Sequence, residues 1–379
     1  MKKIILIILL MFSFLLPVNA AEMEISAKSA ILIDQNTGKV LYKKNENEKL
    51  AMASMTKIMS LLLIMEKIDE GVIKYDDIVE ISQEASSMGG SQIFLNPGDK
   101  YKVKDLLKGV AMASANDAVV ALAEKTYGSK ESFIEAMNKR AEELNLKNTH
   151  FVNVHGLDDE NHYSSSYDMA IMAKELLKYE KILDYTKVYE EYLQKPDGSQ
   201  IWLVNTNKLV RFYDGVDGLK TGYTAKAGYC LTATAKKNNL RLISVVMGEE
   251  SIEKRSQDTV KLLNYGFNTY KVNLIKDKKE ILGKVKVEKG KKEYVDVVLV
   301  NDAIELLNVN DKVSKYNFKI DIEKIVAPVK KGNVIGKVQI LNEDNKIINE
   351  VDITVKEDVK KANIWDLFLR NLRYNLVWK

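Results

Sequence analysis

The residues best equipped for chemistry begin with Ser54 and Lys57, in the stretch Ala53-Ser54-Met55-Thr56-Lys57-Ile58-Met59-Ser60-Leu61-Leu62-Leu63-Ile64-Met65. A serine and a lysine three apart share a helix face and can touch, while Ile58, Leu61, Leu62 and Met65 recur at the spacing of a buried helical side. A hydroxyl beside an amine suits acyl transfer, because serine is a weak nucleophile until a base takes its proton. The spacing alone says little: Ser251-x-x-Lys254 repeats it in a polar run, where a capping serine and a solvated lysine account for it. Two further motifs stand far downstream. Ser114-Ala115-Asn116 falls at a break between two helical patterns, and Lys220-Thr221-Gly222 enters the first strand of a late hairpin. Three such motifs, in that order, make coincidence a poor explanation.

The surrounding pattern must place these groups together. Ala30 to Asp34 and Lys39 to Tyr42 are β-prone runs joined by Gln35-Asn36-Thr37-Gly38, which reads as a hairpin. Val103 to Ala113 and Asn116 to Tyr127 have helical periodicity, and Ser129 can cap a further helix that shows Phe133, Met137 and Ala141 on one face. From Asp217 the pattern returns to strands, with Tyr229 to Ala235 and Leu240 to Met247 forming a second hairpin. Early strands, central helices and late strands predict one α/β domain whose sheet joins both ends of the segment. After about Tyr270 come short β-prone runs, among them Glu293 to Val300, Lys315 to Ile322, Val334 to Leu341 and Ile347 to Val355, consistent with a small all-β domain that has no histidine or cysteine. On a helix, Ile364, Trp365, Phe368, Leu369, Leu372 and Leu376 share a face opposite Asp366, Arg370 and Arg373. Such a terminal helix suits the interface of an anionic membrane; packing on the β domain is the competing reading.

Lys2 and Lys3, the apolar run from Ile4 to Leu16 and the small residues of Val18-Asn19-Ala20 read as a secretory signal, with the apolar run too short for a membrane span. The net charge of +4 falls to +2 when Lys2 and Lys3 are removed, too little to argue for nucleic acid. The lone Cys230 excludes an internal disulfide and sits in a strand-like run as a small core residue.

The three motifs are those of the penicillin-recognising serine enzymes, and within them the chain resembles the low-molecular-mass penicillin-binding proteins of the serine-type D-alanyl-D-alanine carboxypeptidase family. The resemblance runs from Ala30-Ile31-Leu32-Ile33-Asp34 through Asn153-Val154-His155-Gly156-Leu157 to the β domain and terminal helix. It implies a penicillin-binding-protein/β-lactamase-like α/β fold, with an antiparallel sheet flanked by helices and a helical subdomain. A small all-β domain and an amphipathic helix would follow. The expected boundaries are a signal peptide over 1–20, a D,D-peptidase domain over 21–270, an all-β domain over 271–357 and an anchoring helix over 358–379.

By the same resemblance Ser54 is the nucleophile and Lys57 its base, a role that needs a neutral amine; burial and a nearby ammonium, for which Lys220 is the candidate, would both lower its pKa. Ser114 would relay the proton to the departing D-alanine nitrogen, and Asn116 would hold Lys57 and the substrate amide. Lys220 would supply positive potential, and Thr221 a hydroxyl to the substrate's terminal carboxylate. Gly222 would allow close backbone approach, and the N–H groups of Ser54 and Tyr223 would form the oxyanion hole. Many relatives carry histidine where Tyr223 stands, which should alter substrate fit rather than catalysis. Arg255 matches an arginine directed at the substrate carboxylate, although its charged neighbours suit a surface position equally. The implied reaction removes the terminal D-Ala from peptidoglycan stem pentapeptides, on the outer face of the cytoplasmic membrane. It requires no metal or organic cofactor, and β-lactams would inhibit it.

Other chemistries fit less well. His150, His155 and His162 fall within 13 residues, but no His-Glu-x-x-His motif accompanies them and they do not share a helix face, so loop histidines with local hydrogen bonds are expected. No Gly-x-Ser-x-Gly elbow supports a Ser-His-Asp triad. A β-lactamase needs a glutamate to activate the deacylating water, and the nearest string to its Glu-x-x-Leu-Asn signature, Ala141-Glu142-Glu143-Leu144-Asn145, begins with alanine. A β-lactam sensor or a non-catalytic peptidoglycan-binding module is the alternative from another class.

Overall fold

The computed structural model describes residues 23–377; the expected signal peptide lies outside the described residues. The chain divides into two compact units. One takes the described residues up to Leu32 with Tyr42–Ala233 and Ser244–Leu263; the other takes Ile33–Leu41, Thr234–Ile243 and the chain from Asn264.

The five-stranded sheet contains β1 (Ser29–Asp34), β2 (Val40–Lys44), β3 (Val216–Thr224), β4 (Gly228–Lys237) and β5 (Leu240–Glu249), in the order β2-β1-β5-β4-β3. The last strands of the segment thus pair with the first, as the pattern of early and late strands requires. β1 is buried along its whole length, which its apolar residues Ala30, Ile31, Leu32 and Ile33 permit. The β4–β5 turn passes through Asn238 and Asn239, both with positive φ (47° and 66°), a backbone that asparagine tolerates better than most residues. The sequence pattern put Lys220-Thr221-Gly222 at the first strand of that hairpin. Instead the motif lies inside its own strand, β3, at the end of the sheet order. Eight of the nine β3 residues are buried or half-buried and polar ones are interspersed, so simple alternation does not reveal it.

The longer helices before β3 are α1 (Lys57–Asp69), α2 (Val103–Ala113), α3 (Asn116–Tyr127), α4 (Lys130–Glu143) and α5 (Ser166–Leu176). In α1 every residue from Lys57 to Met65 is buried, so the predicted apolar stripe widens to the whole circumference. Ser129 Oγ accepts from Ser132 N–H at 3.1 Å to start α4, the cap expected from its type. Two short antiparallel strand pairs that the sequence pattern did not signal join Ile78–Glu80 to Lys100–Lys102 and Glu190–Gln194 to Gln200–Val204. A longer helix, α6 (Ile252–Thr269), follows β5.

The second unit has an antiparallel pair, β6 (Tyr270–Lys276) with β9 (Ala303–Asn308). Its six-stranded sheet comprises β7 (Gly283–Glu288), β8 (Tyr294–Leu299), β10 (Asn317–Ile322), β11 (Ile325–Val326), β12 (Val334–Leu341) and β13 (Ile347–Val355), in the order β10-β12-β13-β8-β7-β11. Val297, Ile340, Ile353 and Val355 help fill its core. α7 (Ile364–Val377) ends the description, and Arg370 Nη2 ties it down by donating to the carbonyls of Gly290 (2.7 Å) and Lys291 (3.2 Å). Ile364, Trp365, Phe368 and Leu369 on the same helix remain exposed. Among the described residues no helix is long and apolar enough to cross a membrane.

Candidate active site

Ser54 belongs to a 3₁₀ turn, Ala53–Thr56, and α1 begins only at Lys57. The pair therefore sits across a helix start rather than within one helix, but Lys57 Nζ still lies 3.0 Å from Ser54 Oγ. The other two partners of Nζ are carbonyl oxygens, Asn116 Oδ1 at 2.6 Å and His155 O at 2.7 Å. A neutral amine has two hydrogens and one lone pair. Both carbonyls can only accept, so they take the hydrogens and leave the lone pair facing the one partner able to donate, the Ser54 hydroxyl. Burial, and secondarily the charge of Lys220, depress the pKa of Lys57 well below the ordinary lysine value, with Asp117 opposing.

α2 ends at Ser114, whose φ of 62° stops the helix, and α3 begins two residues later at Asn116. This break presents both residues to the site. Asn116 is gripped from two sides, its N–H donating to Ser91 O at 2.7 Å and its Nδ2 to Gly89 O at 2.6 Å, so Oδ1 is left for Lys57. Ser114 Oγ is buried and has no hydrogen-bond partner among the described residues, a rarity that marks a group held ready for something else.

β3 supplies the opposite wall. Lys220 is fully buried, its Nζ donating to Thr221 O at 3.1 Å, and burial together with the nearby Arg255 lowers its pKa to about 7. Thr221 Oγ1 donates to Thr206 Oγ1 at 2.7 Å. Arg255, for which surface and site were equally plausible from sequence, is only 5% exposed and its Nε has no partner among the described residues. A buried guanidinium with a free N–H near a second cation suits an anion such as a carboxylate. The Tyr223 side chain is exposed and stacks on Tyr229 with centroids 4.3 Å apart, leaving the Tyr223 backbone on the β3 edge.

Two glycines let the backbone close around the nucleophile. A Cβ on Gly222 would come within 2.7 Å of Met52 O, and one on Gly156, whose φ is +97°, within 1.9 Å of Ala53 O.

Sequence reasoning missed three contributors. Asp117, fully buried, accepts from the N–H groups of Ile93, Leu95 and Ala118, so the residue after Asn116 anchors the loop that holds it. Thr206 supports Thr221, and Thr56 bonds to His162. A polar residue inside an apolar run is the only sequence signal that could have drawn attention to Asp117. The histidines do not converge: His150 Nδ1 meets Asn161 O at 2.6 Å, a local contact as expected, while His162 Nε2 meets Thr56 Oγ1 at 2.7 Å, 106 residues away. Among the described residues no group of three or more His, Cys, Asp or Glu is arranged to hold a metal ion.

This arrangement has known counterparts. Residues 17–251 match the D-alanyl-D-alanine carboxypeptidase family, and residues 270–361 match the C-terminal domain of penicillin-binding protein 5. The chain is 49% identical over 357 residues to the D-alanyl-D-alanine carboxypeptidase DacF of Bacillus subtilis, covering 93% of this chain and 90% of that one. It is 34% identical to DacA of Escherichia coli K12, covering 90% and 86%. Penicillin-binding protein 5 from Haemophilus influenzae superposes with a TM-score of 0.69 at 32% identity, over 90% of this chain and 99% of that one. Penicillin-binding protein D2 of Listeria monocytogenes, in its ampicillin-bound form, superposes with a TM-score of 0.58 at 29% identity, over 65% and 99%. With the three motifs brought together around one buried amine, and the match spanning nearly the whole chain, this protein belongs to the D-alanyl-D-alanine carboxypeptidase family of penicillin-binding proteins.

Proposed function

We propose that Ser54 carries the acyl group in a D-alanyl-D-alanine carboxypeptidase reaction on peptidoglycan stem pentapeptides. The observation that supports this most directly is the set of contacts at Lys57 Nζ, whose two carbonyl partners take the hydrogens of the neutral amine and leave its lone pair for Ser54 Oγ. Lys57 takes the hydroxyl proton as Oγ attacks the carbonyl of the penultimate D-Ala. The developing oxyanion is received by the N–H groups of Ser54 and Tyr223, the kind of donor whose loss costs roughly 2.7 to 4 kcal/mol of barrier. The proton then passes through Ser114 Oγ to the departing D-alanine nitrogen. Lys220, Thr221 and Arg255 hold the terminal carboxylate, and Asn116 the substrate amide. Water hydrolyses the acyl-enzyme and Lys57 again handles the proton.

Penicillin offers a strained amide and a carboxylate to the same groups, so it acylates Ser54. The sequence has no Glu-x-x-Leu-Asn signature, the nearest string beginning with Ala141, so the adduct should persist. The domain boundaries proposed are those expected from sequence, with residues 1–20 as an export signal and the C-terminal helix resting on an anionic membrane surface through Trp365, Phe368 and Leu369. Supporting the anchor are the exposed apolar residues of α7.

The decisive experiment follows D-alanine release from a peptide ending in D-Ala-D-Ala, comparing the mature protein with Ser54→Ala. Release by the parent alone, together with penicillin labelling lost in the variant, is the expected result. Labelling that survives in Ser54→Ala places the nucleophile elsewhere. Folded parent protein that releases nothing favours a sensor or binding module.

A further inference from the structure

The Ser54 N–H needed for the oxyanion is part of the Ala53–Ser54 peptide, and that peptide is held in an unusual way. Ala53 has φ +46°, a left-handed conformation that is disfavoured for a non-glycine residue and persists only where the surroundings enforce it. The enforcing contacts form a directional chain. Val152 N–H donates to His162 Nδ1 at 3.1 Å, so the ring's hydrogen must sit on Nε2. Nε2 meets Thr56 Oγ1 at 2.7 Å, and Thr56 Oγ1 donates its own hydrogen to Ala53 O at 2.7 Å. Each group thus donates once and accepts once, with no conflict of hydrogens. His162 is 3% exposed, and its burial holds the imidazole near pKa 4, neutral and able to accept from Val152.

Because a trans peptide is planar, its carbonyl and N–H point in opposite directions. A chain that fixes Ala53 O therefore fixes the aim of the Ser54 N–H. The same imidazole also grips the backbone at Val152, in the segment whose later residues hold α1: Val154 O accepts from Ser60 Oγ at 2.7 Å and His155 O from Lys57 Nζ. Gly156 completes that segment against Ala53 O. We infer that His162, acting through Thr56, is a positioning residue that aims the Ser54 N–H at the oxyanion. Its contribution belongs to the rate of acylation rather than to substrate affinity. This rests on the reading of Ser54 as nucleophile.

The test measures kcat and KM for D-alanine release from an N-acylated peptide ending in D-Ala-D-Ala, and the rate of benzylpenicillin acylation, for Thr56→Val, Thr56→Ser, His162→Leu and His162→Gln. Losing an oxyanion donor outright costs about 10²- to 10³-fold, so a donor left in place but misaimed should cost roughly 10- to 100-fold. Thr56→Val keeps the side-chain shape without the hydroxyl. It should lose that factor in kcat and in acylation rate, with KM within about three-fold, whereas Thr56→Ser should stay near the parent. His162→Gln, which can still donate to Thr56, should lose less than His162→Leu. If Thr56→Val fails to melt cooperatively, the contrast between the two His162 variants carries the same test. The inference is overturned if Thr56→Val turns over within two-fold of the parent, if only KM changes, or if Thr56→Ser falls as far as Thr56→Val. A parent that releases no D-alanine removes the underlying reading instead, and the inference with it.

Discussion

At the scale of single residues, the site depends on keeping one amine neutral. If Lys57 is the base, as proposed, it acts only after losing its proton, so acylation should be present above its folded pKa and lost as pH falls through it. Burial sets most of that depression and Lys220 adds to it. Lys220→Met should therefore raise the Lys57 pKa and move the acid limb of the penicillin-acylation profile to higher pH, whatever happens to the maximal rate. A limb that stays in place or moves to lower pH would point to a different proton acceptor. Gly156 is under an equally strict demand, since any side chain there meets Ala53 O and must also adopt φ +97°. Gly156→Ala should cost at least about 2 kcal/mol of stability, through clash and strain, and abolish penicillin labelling, as thermal melting and gel fluorography would show.

At the scale of elements, the α2–α3 break and the β3 edge deliver the reacting groups, and a buried carboxyl pair ties β5 to α6. Glu249 and Asp258, both nearly inaccessible, meet around Ser26, whose Oγ lies 3.1 Å from Glu249 Oε1 and 2.9 Å from Asp258 Oδ2. Burial and the neighbouring Asp258 raise Glu249 to about 7. At Asp258 burial works against the charge, but hydrogen bonds from Glu249, Lys261, Ser26 and Ala27 outweigh it and hold the pKa near 2. The signs follow from linkage. Glu249 keeps its proton longer when folded, so its contribution is full below about 4.5 and lost as pH rises towards 7. The contribution of Asp258 is full above about 4 and lost as pH falls towards 2. His155 and His162, both held near 4 by burial, act in the opposite sense over much of the same range, so the pair is read as a difference: Glu249→Gln, which keeps a donor without a titrating proton, should show a melting temperature that gains more between pH 5 and 7.5 than the parent's. An unchanged slope in the variant would acquit the pair. The β1–β2 and β4–β5 hairpins, α1 to α4 and the three motifs were legible in the sequence because residue type and period express them locally; β3 and the two short strand pairs were not. Asp117 and the bond from His162 to Thr56 were not, since a clamp on Ile93 and Leu95 or a contact across 106 residues exists only once the chain has folded. Arg255 was ambiguous for a related reason: the charges beside it in sequence are exposed, while its own side chain is buried.

At the scale of the whole molecule, the proposed reading assigns reaction and location to separate parts of the chain. Deleting residues 363–379 should leave D-alanine release and penicillin labelling intact while moving the protein from membrane to soluble fractions. Unchanged retention in the membrane fraction would sink the anchor. Two consecutive families match residues 17–251 and 270–361, which leaves the α7 helix outside both. Ser114 Oγ and Arg255 Nε are buried and have no hydrogen-bond partner among the described residues. A polypeptide that withholds hydrogen bonds from itself for the benefit of a guest is less stable than it could be until the guest arrives. Benzylpenicillin brings the missing acceptors and, once bonded to Ser54, cannot leave by dilution. The antibiotic that silences this enzyme should therefore also act as its pharmacological chaperone: the dead, acylated protein should melt at a higher temperature than the living one, even after all free drug has been washed away.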